Sequence, residues 1–154
     1  MYSALDIAKW FLCAVDRESG DNITHLKLQK LLYYAQAWSL VLLDKCMFKE
    51  EIQAWMHGPV VPEVYDKYSE YGYDEIPKPE HCPVIAKEYE EVLEEVMKTY
   101  GIYQAKYLEM LTHSEKPWIE ARGNLPLEAR CDKPISIKTM KEYYTLMQAN
   151  QWIK

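Results

Sequence analysis

The run from Thr24 to Leu42, THLKLQKLLYYAQAWSLVL, constrains what this chain can fold into more than any other stretch. Leu28, Leu31, Leu32, Ala35 and Leu42 recur at helical spacing, with Trp38 close to the same stripe. Such a stripe needs other elements to cover it, so the run is predicted to be the central core helix, N-capped by Thr24. Lys27 and Lys30 alternate with the stripe and are expected to face outward or sit at its edge. Downstream, the segment Trp55-Met56-His57-Gly58-Pro59-Val60-Val61-Pro62 excludes a continuing helix or a central strand. Pro59 lacks an N–H and has a fixed φ, while Gly58 tolerates backbone angles that other residues avoid. The backbone is therefore expected to turn just after Trp55 and His57. It then enters a helix with Val61, Val64, Tyr65 and Tyr68 at helical spacing. A loop positioned between two helices is a common place for function.

Other elements follow from the same logic. Ser3 is a candidate cap for a first helix buried through Leu5, Ala8, Phe11, Leu12 and Val15, ended by the turn residues Glu18 to Asn22. Ile52 to Met56 reads as extended, one arm of a small hairpin or an ordered loop. Tyr71 to Glu80 is a Gly- and Pro-punctuated connection, long for a compact domain and the segment expected to be most mobile. Pro83 suits a first helical turn. After it Ile85, Tyr89, Val92, Leu93, Val96 and Tyr100 form a stripe closed by Gly101, with Glu88, Glu90, Glu91, Glu94 and Glu95 on a solvated face. Ala105, Leu108 and Leu111 mark another helix, and Ser114 is a candidate cap for a short one with Pro117 and Trp118 in its first turn. Ser136 caps a last helix with Met140, Tyr143, Tyr144 and Met147 on one face. The fold class expected is all-α or mostly α: an irregular globule of about six or seven helices with at most one very small β element, as a single domain over 1–154.

Charge narrows the function classes. The net charge of −6 argues against a broad phosphate-binding surface, which needs a basic excess. No apolar run of ~18 or more residues appears, and the N-terminus lacks a signal-peptide layout, so a cytoplasmic protein without membrane insertion is expected. Cys13, Cys46, Cys82 and Cys131 form no Cys-x-x-Cys pair. A disulfide framework is not expected in that compartment, and Cys13 reads as a small core hydrophobe. His81 and Cys82 are adjacent, but without a second spaced pair they make a poor zinc site, so no metal or other cofactor is assigned.

No phosphate loop, nucleophile elbow or His-Glu-x-x-His motif is present, so no catalytic residue is assigned. His57 and His113 could meet in space with Lys30, Glu63 or Arg122, and a histidine beside a carboxylate can act as a general base. The favoured reading is that each imidazole bonds backbone carbonyls and locks its loop. Trp55 and Trp118 could stack a base or sugar, but rings beside prolines are more often packing, with Pro117 and Trp118 capping the core near Trp55. Lys27, Lys30, Tyr34 and Arg122 are the better interface candidates, their bland alternative being a solvated helix edge.

Three blocks together carry a resemblance. Lys27-Leu28-Gln29-Lys30-Leu31-Leu32-Tyr33-Tyr34, then Glu51 to Tyr65 with Trp55-Met56-His57-Gly58-Pro59, then Leu108 to Arg122 with His113-Ser114-Glu115-Lys116-Pro117-Trp118, resemble the Panacea domain, the SocA-like or GepA-like phage-associated family, in the family's order. The resemblance implies an antitoxin of a type II toxin–antitoxin pair, binding its cognate toxin protein directly. In SocA-like members it also implies an adaptor that delivers the toxin to a cytoplasmic protease. Candidate toxin-binding or motif-loop residues are Lys27, Lys30, Tyr34, Trp55, His57, Gly58, Pro59, His113, Pro117, Trp118 and Arg122. They either form the binding face or set the fold on which neighbouring residues select the toxin. Some relatives add a DNA-binding segment; none is visible here, so DNA binding is not expected. The alternative is a small hydrolase or transferase using His57 or His113.

Overall fold

The computed structural model describes residues 1–153, with side chains described through 150. Seven α-helices and one two-stranded hairpin are present among the described residues. They are α1 (Ala4–Ala14), α2 (His25–Leu43), β1 (Gln53–Trp55), β2 (Gly58–Val60), α3 (Pro62–Tyr68), α4 (Lys87–Tyr100), α5 (Ala105–His113), α6 (Lys116–Arg122) and α7 (Ile137–Ile153). A single 3₁₀ turn, Ser69–Tyr71, follows α3. The chain is thus a mostly α, irregular globule with a tiny β element, as its periodicity implies.

Helix α2 is the axis of the fold. It packs against α1, α3, α4, α5, α7 and β2, and every residue from Leu28 to Ala37 is buried. That departs from the expected one-sided stripe. With neighbours on all faces, Gln29, Lys30, Gln36 and Ser39 are buried along with the leucines. Only Leu42, at the end of the stripe, emerges to 47% exposure.

The expected caps at Ser3, Thr24 and Ser136 form, each side-chain oxygen accepting an N–H from three residues ahead. Two others do not. Helix α4 starts at Lys87 with no side-chain cap, leaving Pro83 outside it. Helix α6 begins after Glu115, and the Ser114 hydroxyl instead donates back to Leu111 O at 2.7 Å. The α4 stripe is buried, and Glu88, Glu91, Glu94 and Glu95 face solvent.

The hairpin pairs Gln53 with Val60, Ala54 with Pro59 and Trp55 with Gly58. The turn is therefore Met56-His57, ahead of the expected corner, and Gly58 opens the return strand at φ +109°. Pro59 costs little here because a two-stranded ribbon leaves one edge unpaired. The connection after Tyr71 is tethered rather than loose: Ile76 is buried and its N–H donates to Ile23 O at 2.9 Å.

One expectation is overturned. Cys13 and Cys82 form a disulfide, Cα atoms 6.0 Å apart across 69 residues. The segment before α4 returns across α1, where the Ala86 N–H donates to Tyr2 OH and Trp10 Nε1–H donates to Glu90. Cys13 lies at the edge of the buried face of α1 rather than within it, so it meets Cys82. Cys46 and Cys131 are free thiols.

Candidate functional site

The motif side chains converge where α2, the hairpin, α5 and α6 meet. Gln29 clamps the chain leaving β2. Its Oε1 accepts the Val61 N–H at 2.8 Å and its amide reaches back to Val61 O at 3.5 Å. The next residue, Lys30, is fully buried with its stem against Gly58. Its Nζ donates over a long 3.4 Å to Pro59 O. Burial pushes the Lys30 ammonium down to about 7, against the opposing pull of Glu109. A side chain expected to face outward is thus enclosed by the strand it supports.

Glu109 organises the rim above it. It is buried on α5, with one oxygen 3.3 Å from His57 Nδ1 and the other 3.1 Å from Lys106 Nζ. His57 is exposed at the hairpin turn. His113, at the end of α5, stacks on Trp118 with ring centroids 4.0 Å apart, and its Nε2 is buried without a hydrogen-bond partner. Burial lowers its pKa from the ordinary imidazole value, Glu109 opposing and Lys30 adding to the effect. His113 is thus held by stacking on the Trp118 ring, while His57 pairs with a carboxylate. The two histidines share Glu109 as a neighbour. Glu63, exposed at the start of α3, makes no ion pair to either among the described residues.

Trp118 and Arg122 tie α6 to the hairpin. Trp118 Nε1–H donates to Trp55 O at 2.8 Å, and Pro117 is buried beside it. Trp55 is half-buried, its ring against Tyr65. The Arg122 guanidinium lies over the Trp118 ring and donates to Ala54 O at 3.0 Å and to the carbonyls of Pro126, Leu127 and Ala129. Its planar fork gathers carbonyls that the irregular chain after α6 leaves unpaired. At 3% exposure it offers no free interface group.

Tyr34 is likewise internal. Its hydroxyl donates to Glu115 at 2.6 Å, Tyr144 donates to the same oxygen at 2.9 Å, and Tyr33 and Tyr144 share a further bond. Burial raises the Glu115 carboxyl, while both hydroxyls favour its charged form. Burial and the neighbouring Glu115 hold Tyr34 far above the usual phenol range. Lys27, half-buried, donates to Gly101 O at 2.7 Å and so closes the end of α4. Of the interface candidates, Lys30, Tyr34 and Arg122 thus lie inside the protein because α2 and α6 have no solvent face at those positions.

Gln29, Glu109 and Glu115 complete the cluster and were not singled out by the sequence. The only signal for them is their place inside the motif blocks. Two surface grooves lie elsewhere, one between α2, α4 and α7 and one beside Ile76 to His81, and neither includes His57 or His113. No group of three or more His, Cys, Asp or Glu among the described residues is arranged to hold a metal ion, and no described helix is long and apolar enough to cross a membrane.

A family model described as "Antitoxin SocA-like, Panacea domain" matches residues 28–119, the stretch containing most of these ties. Antitoxin SocA of Caulobacter vibrioides (strain NA1000 / CB15N) is 34% identical over 131 residues, covering 73% of this chain and 70% of that protein. No solved structure matches the chain.

Proposed function

We propose, because the chain belongs to the SocA-like Panacea antitoxin family, that it neutralises a toxin protein by binding it directly and stoichiometrically. One observation supports the way it does so. The motif side chains Gln29, Lys30, Tyr34, Trp118 and Arg122 spend their hydrogen bonds inside the chain. They build a frame, and the toxin is met by exposed residues carried on it. A specific interface of roughly 800 Å² per partner needs about 20–30 surface residues, which one face of this domain supplies.

Within this reading the partner is the cognate toxin, the setting is the cytoplasm, and the acidic net charge makes nucleic acid a poor alternative target. Delivery of the bound toxin to a cytoplasmic protease belongs to the same proposal. The test is co-expression with the product of the adjacent gene. The reading expects that product to arrest growth alone and to be harmless with this chain, and its half-life to shorten if delivery occurs. A neighbour that is harmless alone, or toxic despite the chain, overturns the pairing.

A further inference from the structure

The groove between α2, α4 and α7 has a volume of about 520 Å³, within the roughly 300–1,000 Å³ of clefts that enclose a small ligand. Its floor is aromatic and held in place. Trp38 Nε1–H donates to Tyr100 OH at 2.9 Å, and the Tyr100 ring lies flat on Tyr34, centroids 3.9 Å apart. Tyr34 is fixed in turn by Glu115. Val96 completes the floor and Leu42 forms a lip, about half its surface exposed. Rigid aromatic pockets of this kind suit an anchor side chain, because little order is lost on binding.

The charge along one wall selects the occupant. Glu95 lines the groove, and Glu91 and Glu94 stand exposed beside it on α4; the three make no ion pair among the described residues and outnumber the two exposed lysines of that helix, Lys87 and Lys98. Glu88 is already held by Lys45, and Glu90 accepts from Trp10. Across the groove, the basic residues of α7 are neutralised: Lys141 pairs with Asp44 and Lys138 with Glu142. An apolar slot with Glu95 at its edge and further unpaired glutamates beside it on α4 matches a helix that is apolar on one face and basic beside it.

We propose that this groove holds the toxin, taking an apolar side chain of a basic amphipathic helix between Trp38, Leu42 and Tyr100 while its lysines or arginines face Glu91 and Glu95. The assignment rests on the antitoxin reading and adds the surface and the partner's chemistry to it. Three variants test it against the toxic product of the adjacent gene: Leu42→Asp, the double variant Glu91→Lys/Glu95→Lys, and Ile119→Asp on the exposed side of α6 as a control. Melting temperatures first establish that each remains folded; the charge reversals lie wholly on a solvated face and keep the test usable should Leu42→Asp not fold. The groove variants are expected to lose growth rescue and at least tenfold in affinity, with Ile119→Asp matching the wild type.

Groove variants that bind and rescue as well as the wild type overturn the assignment. So does a change in the chain's own solution mass in those variants, which assigns the groove to a second copy. A wild-type chain that neither rescues nor co-purifies removes the antitoxin pairing itself, and this surface with it.

Discussion

Replacing Lys30 with methionine should stabilise the protein at neutral pH and remove the pH dependence that burial of this lysine imposes. Lys30 is wholly enclosed, and its ammonium is held at about 7 rather than 10.5. The unfolded chain therefore binds a proton that the folded chain gives up between those values, so stability rises with pH across that window. The full effect is present above 10.5 and is lost as the pH falls toward 7. At 1.36 kcal/mol per pH unit the penalty near pH 7 is about 4 kcal/mol, of which about 3 kcal/mol disappears between pH 7 and 9.5. Methionine keeps most of the stem and gives up one long bond to Pro59 O. Lys30→Met should be about 1–4 kcal/mol more stable at pH 7, the usual range for replacing a buried charge with an apolar side chain. Urea denaturation of both proteins at intervals from pH 7 to 9.5 reads the difference directly, since the buried tyrosines and Cys46 contribute equally to both. The wild type should gain on the variant by about 3 kcal/mol across the range. A constant difference, or a variant that loses stability at pH 7, refutes the enclosed lysine.

Gly58→Ala should destabilise by about 2–4 kcal/mol in urea, because φ is +109° and a Cβ would sit 2.6 Å from Lys30 Cε and 3.1 Å from Thr112 Oγ1. Glu115→Ala should cost about 3–5 kcal/mol by the same assay, since it leaves the Tyr34 and Tyr144 hydroxyls buried without their acceptor. Under non-reducing conditions Cys13→Ser/Cys82→Ser should lower stability by about 2–4 kcal/mol, and reduction of the wild type should reproduce the loss, as expected for a cross-link closing 69 residues.

What the sequence made legible, and what it hid, divides along local and tertiary physics. The α4 stripe from Tyr89 to Tyr100 was readable because that helix buries one face and shows glutamates on the other. The caps at Ser3, Thr24 and Ser136 were readable because each acts within one turn. Helix α2 was readable as a helix and as the centre, but not in its polar positions. A periodic stripe implies a wet opposite face, yet α2 is surrounded, and its Gln29, Lys30 and Gln36 bond strands and loops 11 or more residues away. The same reason hid Glu109, whose partner His57 lies on the hairpin turn, Glu115, whose tyrosine partners lie on α2 and α7, and the Cys13–Cys82 pair, set by the path of the 71–86 segment. Tyr34 and Arg122 looked like interface residues because hydroxyl and guanidinium groups suit surfaces as well as buried networks. Only their position decides between the two.

The central claim is that the chain silences a toxin by direct contact, and the complex itself tests it. The co-expressed chain and the toxic product of the adjacent gene would be purified together, and the native mass and residual toxin activity of the product measured. The account predicts one species of fixed stoichiometry with the toxin inactive, retained in Lys30→Met because that residue belongs to the frame. A chain that elutes alone while the toxin stays active, or growth rescue without any complex, would contradict it.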